Sequence, residues 1–136
     1  MGIVHEPVRA AHTGFSFASG GAGLTMPPLT EAQRAIAAAM SEESLQAKVI
    51  ELAEWLGLDV FHIRDSRGQR VTGLPDLTIV GDRRLWMPEL KRQDGYPTRE
   101  QRRILGRLVE RGEYRAGLWK PSSWLDGTIE RVLRGD

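Results

Sequence analysis

The chain has 136 residues, 19 Lys+Arg against 18 Asp+Glu, and a formal net charge of +1. That length suits one domain of ordinary size with a tail. The absence of cysteine excludes disulfides, a thiol nucleophile and cysteine-ligated zinc. His5, His12 and His62 lack metal-ligand spacing, and no apolar run is long enough for a membrane span or a signal peptide, so the expectation is a soluble intracellular protein.

Residues 1 to about 29 carry Gly and Pro without hydrophobic periodicity, as in Ser19-Gly20-Gly21 and Met26-Pro27-Pro28, and read as a flexible extension. Thr30-Glu31-Ala32-Gln33 is a capping-box pattern that opens an alanine-rich helix to about Met40. The extension is therefore taken as 1–40, with a short helix at 30–40, and the domain proper as 41–136. Ser41 caps a second helix running to about Leu56, where Gly57 ends it. Leu45, Val49, Leu52, Ala53 and Leu56 form its buried stripe. Glu42 sits at the N-terminal end of that stripe, where an acid also suits the helix dipole. Gln46 lies one turn further on the same side.

Leu58 to Arg64 alternates as a strand, and a polar, basic loop follows, Asp65 to Arg70. Arg64, Arg67 and Arg70 make that loop a candidate for phosphate contact; a solvated loop has the same composition. Asp76 to Val80 is a second strand and Leu85 to Lys91 a third, joined by the turn Gly81-Asp82-Arg83-Arg84. A further loop, Arg92 to Pro97, leads to Thr98-Arg99-Glu100-Gln101, which opens a helix to about Arg111 with Ile104, Leu105, Leu108 and Val109 as its apolar positions. Gln101 ends a capping box and also lies on the inward face. Arg115 to Trp119 reads as a short strand, and a last helix spans roughly Trp124 to Leu133. From residue 41 the order is α-β-β-β-α-β-α, an α/β fold whose mixed sheet is flanked by helices.

The densest chemistry lies in the hairpin. A turn centred between Asp82 and Arg83 puts Asp76 directly opposite Glu89, and opposite residues share a face of the sheet. Lys91, two residues beyond Glu89, points the same way. Two facing carboxylates repel unless a cation offsets them, and a hard divalent ion prefers oxygen ligands. The blander account is a surface cluster in which Lys91 bridges two acids. Pro88, next to Glu89, has no N–H for the ladder and implies a bulge or an open ladder position. Around the hairpin the charge is uneven: Arg64 to Lys120 holds 14 Lys+Arg against 8 Asp+Glu. Such an excess fits a phosphate backbone, although a solvated basic face is its commoner origin.

These segments resemble the virus-type replication-repair nuclease (VRR-NUC) domain of the PD-(D/E)xK, or restriction-endonuclease-like, superfamily, in its small stand-alone phage and bacterial form. The resemblance rests on Ser41 to Gln46, Phe61 to Arg67 leading into Gly73-Leu74-Pro75-Asp76, Glu89-Leu90-Lys91 followed by Pro97 to Gln101, and Leu118 to Trp124. It implies that Asp76 and Glu89 ligate Mg²⁺ or Mn²⁺, that Glu42 supports the metal directly or through water, and that Lys91 positions or deprotonates the attacking water. Gln101 would orient Lys91 or the scissile phosphate. It further implies a DNA endonuclease selective for branched DNA such as four-way junctions, acting in the cytoplasm of a bacterium or phage-infected host, with no nucleotide cofactor. Arg64, Arg67, Arg70, Arg92, Arg99 and Arg103 are the candidate DNA contacts. Symmetric junction cutting needs two sites and a domain this small carries one, so a homodimer is expected. Two other readings stand beside this one: a nicking or restriction-like nuclease without junction preference, and an inert DNA-binding accessory module.

Overall fold

A computed structural model describes residues 27–62, 73–111 and 115–135. The elements run α1 (Glu31–Ala39), α2 (Glu42–Trp55), β1 (Asp59–His62), β2 (Leu77–Val80), β3 (Leu85–Leu90), α3 (Arg99–Arg111), β4 (Arg115–Trp119), α4 (Pro121–Leu125) and α5 (Thr128–Leu133). The fold is mixed α/β. Its sheet has the strand order β1-β2-β3-β4. The first three strands form an antiparallel meander, and α3 crosses over to β4, which lies parallel to β3.

Helix starts follow their local chemistry. Thr30 and Gln33 form the reciprocal capping box of α1, at 3.1 and 2.9 Å. Ser41 Oγ accepts from the Ser44 amide at the start of α2. Strand alternation then divides the sheet. Leu77, Ile79, Trp86, Leu90 and Trp119 pack with Leu45, Val49 and Ala53 of α2 and with Ile129 and Leu133 of α5 in one core. Leu52 and Leu56 border that core half-buried. The residues between them on β3 and β4 face the other way: Glu89 pairs with Leu118, and buried Leu118 and Leu105 lie on that opposite side, where α3 packs against β4.

Two elements differ from the sequence expectation. The last helix starts earlier and is broken in two. Pro121 occupies the first turn of α4, where its missing N–H costs nothing. Gly127 then adopts φ +82°, and the Asp126 carboxylate accepts from the Thr128 amide at 2.9 Å, so α5 starts afresh after the break. The second difference concerns α1. The expected helix is present, but Ala37 is buried, α1 packs against α4, and Met40 joins the core. Residues 31–40 are thus built into the domain rather than loosely appended to it. Among the described residues no helix is long and apolar enough to cross a membrane.

Candidate metal centre

Asp76 immediately precedes β2, Glu89 is the penultimate residue of β3, and Lys91 follows β3. The hairpin ladder runs through Ile79↔Trp86 and Val80↔Leu85, the register expected from the turn. Continued past the ladder, it sets Asp76 against Glu89. The Lys91 amide donates to Trp119 O at 3.1 Å, so the odd-numbered residues of this part of β3 turn their backbone groups to β4 and the even-numbered ones turn to β2. Pro88 therefore faces β2 with no proton to give, and the ladder is open there without displacing the pairing. The next β2-facing donor, the Leu90 amide, is met by the Asp76 side chain, whose Oδ2 accepts it at 3.3 Å. The proline and the aspartate thus share one explanation: a carboxylate takes over where strand pairing stops.

Glu89 is completely buried. Its Oε1 accepts a 2.9 Å hydrogen bond from Gln101 Nε2, whereas its buried Oε2 has no hydrogen-bond partner. Burial, above all, pushes the Glu89 carboxyl up to about 9. The adjacent Asp76 adds to this through its charge and through the hydrogen bond it can accept once Glu89 is protonated; nearby Lys91 pulls the other way, and Glu42 adds a smaller upward push. Among the described residues no ion pair joins Lys91 to Asp76 or Glu89. This is not a solvated surface cluster bridged by a lysine.

Glu42 belongs to the same electrostatic neighbourhood. Burial raises its carboxyl above the usual range, Lys91 opposes the shift, and Asp76 and Glu43 reinforce it. It reaches the centre from the first turn of α2, while Gln101 reaches it from the first turn of α3. Gln101 fills both roles that the sequence allowed it. Its Oε1 accepts from the Thr98 amide at 2.8 Å, its own amide donates to Thr98 Oγ1, and its Nε2 holds Glu89. Its amide is committed to Glu89 rather than to Lys91.

Gly73 locks these parts together. Its φ is +90°, and a Cβ placed there would sit 2.8 Å from the Glu100 carbonyl carbon and oxygen and 2.9 Å from the Gln101 nitrogen. The turn before Asp76 therefore packs backbone to backbone on the start of α3. Gly73→Ala is expected to destabilise the protein by about 2 kcal/mol or more, through φ strain and displacement of α3. Urea unfolding measures it; a midpoint equal to wild type would contradict the close packing.

The remaining sequence candidates are less concentrated. Arg64, Arg67 and Arg70 lie outside the described residues. Arg92 is exposed, 3.6 Å from Asp94. Arg99 is exposed on the first turn of α3, and Arg103 is exposed and paired with Glu100. Gln46 Nε2 lies 2.6 Å from His62 Nε2 on β1, and His62 pairs with Leu77, the residue after Asp76. Neither the contact of Gln46 with His62 nor the Gly73 contact had a local sequence signal, because each joins segments distant in the chain.

Among the described residues no three His, Cys, Asp or Glu side chains form a metal-holding group. The convergent pair is Asp76 with Glu89. Mg²⁺ binds readily through one or two carboxylates with water and substrate phosphate completing its shell, and Mn²⁺ accepts the same oxygen donors. A buried carboxylate oxygen with no donor, beside a second carboxylate, is a fit for such an ion. Comparison with known proteins finds no matching family model, curated protein or solved structure.

Proposed function

We propose that the chain is a metal-dependent DNA endonuclease with a PD-(D/E)xK-type core, of the VRR-NUC kind, hydrolysing phosphodiester bonds in branched DNA. The observation that carries the reading is the buried Glu89 carboxyl, held at one oxygen by Gln101 while the other, beside Asp76, has no donor from any other residue. Two adjoining carboxyls with no base paired to them must share a proton or a cation.

In this reading Asp76 and Glu89 hold Mg²⁺ or Mn²⁺, which supplies polarisation of a phosphoryl oxygen and a lowered pKa for bound water. Gln101 fixes the rotamer of Glu89. Lys91 places a positive charge beside the two carboxylates, where it offsets charge developing on the phosphoryl oxygens and orients the water. Glu42 contributes through its field or through a water. Arg92, Arg99 and Arg103, with Arg64, Arg67 and Arg70, contact DNA phosphates. A homodimer supplies the second active site that a symmetric junction cut needs.

Gln101→Ala is expected to lower cleavage by about 10- to 100-fold, the usual cost of removing a group that orients a ligand. Its loss of fold stability is expected to be about 1–3 kcal/mol, from the cap and from the buried Glu89 oxygen left without its donor. Single-turnover kinetics and thermal unfolding separate the two effects.

The test of the function is a cleavage assay with Mg²⁺ and Mn²⁺ on four-way junction, flap, duplex and single-stranded DNA. Metal-dependent cutting strongest on the branched substrates is expected. Equal cutting of all forms would replace junction preference with a general nicking activity. DNA binding without cutting would leave the accessory-module reading in its place.

A further inference from the structure

The loop between Lys91 and α3 is held more tightly than its polar composition requires. The Gly95 amide donates to Arg92 O at 2.9 Å, closing a turn. A Cβ on Gly95 would lie 3.4 Å from the Lys91 Cβ, so this turn folds back onto Lys91 at the edge of the metal centre. Gln93 is tied twice to the start of α4: its carbonyl accepts from Lys120 Nζ at 3.2 Å and its Oε1 accepts from the Ser122 amide at 2.8 Å. Pro97 is buried. Between these anchors Tyr96 is 74% exposed. Lys120 Nζ stands 4.6 Å from the centre of its ring.

The result is a fixed aromatic ring that is not buried. A cation covers one face, and that cation is itself held by the Gln93 carbonyl. A tyrosine serving only to pack the loop would bury its ring; this one keeps most of its surface in solvent, one residue after the turn that folds onto Lys91.

We propose that Tyr96 is a stacking platform for one unpaired nucleobase of the DNA, next to the bond that is cut. The proposal rests on the nuclease reading above and narrows its substrate. Bases inside a duplex are stacked on both faces and offer none to a protein side chain, whereas a branch, flap or gap frees one. Stacking on an aromatic ring tolerates any base identity. The Lys120 charge beneath the ring adds attraction for the adjoining phosphate. The platform therefore supplies branch recognition without reading sequence.

The experiment places 2-aminopurine at each unpaired position near the branch of a flap DNA and adds protein carrying Asp76→Asn, so that no cutting intervenes. Fluorescence quenching at one position is expected. In the same background Tyr96→Ala is expected to remove the quench and to lower the flap-to-duplex affinity ratio about tenfold, and Tyr96→Phe to restore both. Absence of a quench at every position, or equal weakening of flap and duplex binding by Tyr96→Ala, would overturn the proposal. Cleavage by the unsubstituted chain is followed in parallel. Cutting without a quench removes the platform alone, a quench without cutting removes the nuclease reading alone, and no DNA binding removes both.

Discussion

Asp76→Asn is expected to lower DNA cleavage by about 10³-fold or more while leaving DNA affinity essentially unchanged. The substitution is close to isosteric. Asn can still accept from the Leu90 amide through its side-chain carbonyl, so the end of the β2–β3 ladder keeps that side-chain hydrogen bond. What disappears is the second negative charge facing Glu89, and with it the ability to hold a hard cation between two oxygens. Affinity for the phosphate backbone depends on the basic residues and loses nothing when a carboxylate is neutralised. Single-turnover cleavage in Mg²⁺, with a parallel filter-binding curve, measures the two quantities. A variant that cuts as fast as wild type would remove Asp76 from the centre.

Glu89→Gln is expected to abolish cleavage and, in the metal-free protein, to flatten the dependence of stability on pH. In the folded chain the Glu89 carboxyl is pushed up to about 9 by burial and by Asp76. An unfolded glutamate titrates near its ordinary value. A folded-state pKa above the unfolded one means that the neutral form stabilises the fold. That contribution is complete below about pH 4.5 and is lost as pH rises through about 9. Within the window the slope approaches about 1.4 kcal/mol per pH unit for one proton. Gln cannot ionise, so its thermal midpoint in EDTA should fall less between pH 5 and 9, and at pH 8 the variant should be the more stable protein. Added Mn²⁺ should raise the wild-type midpoint and leave that of the variant in place. Parallel curves for the two proteins would contradict a raised Glu89 carboxyl in the fold.

Much of this arrangement is local and was legible in the chain. Thr30 with Gln33, Ser41, and Thr98 with Gln101 each announce a helix start through their own side chains, and the structure uses all three. The turn after Val80 is short enough to dictate the pairing of β2 with β3, which placed Asp76 against Glu89. The parts not legible depend on distant segments. That α1 docks rather than dangles depends on α4, which follows it by most of the domain. That Glu89 is buried depends on α3 closing over the sheet, and Gly73 permits that approach only because it lacks a Cβ. The break between α4 and α5 had a visible cue in Asp126-Gly127. The apolar spacing from Trp124 to Leu133 runs through that cue and conceals it.

Asp76 and Glu89 are expected to bind one divalent cation between them. Calorimetric titration of Mn²⁺ into the wild-type chain and into Glu89→Ala tests it most directly. Saturable binding by the wild type that vanishes in the variant is the expected result. Absence of binding to the wild type, or equal binding to both, would contradict it.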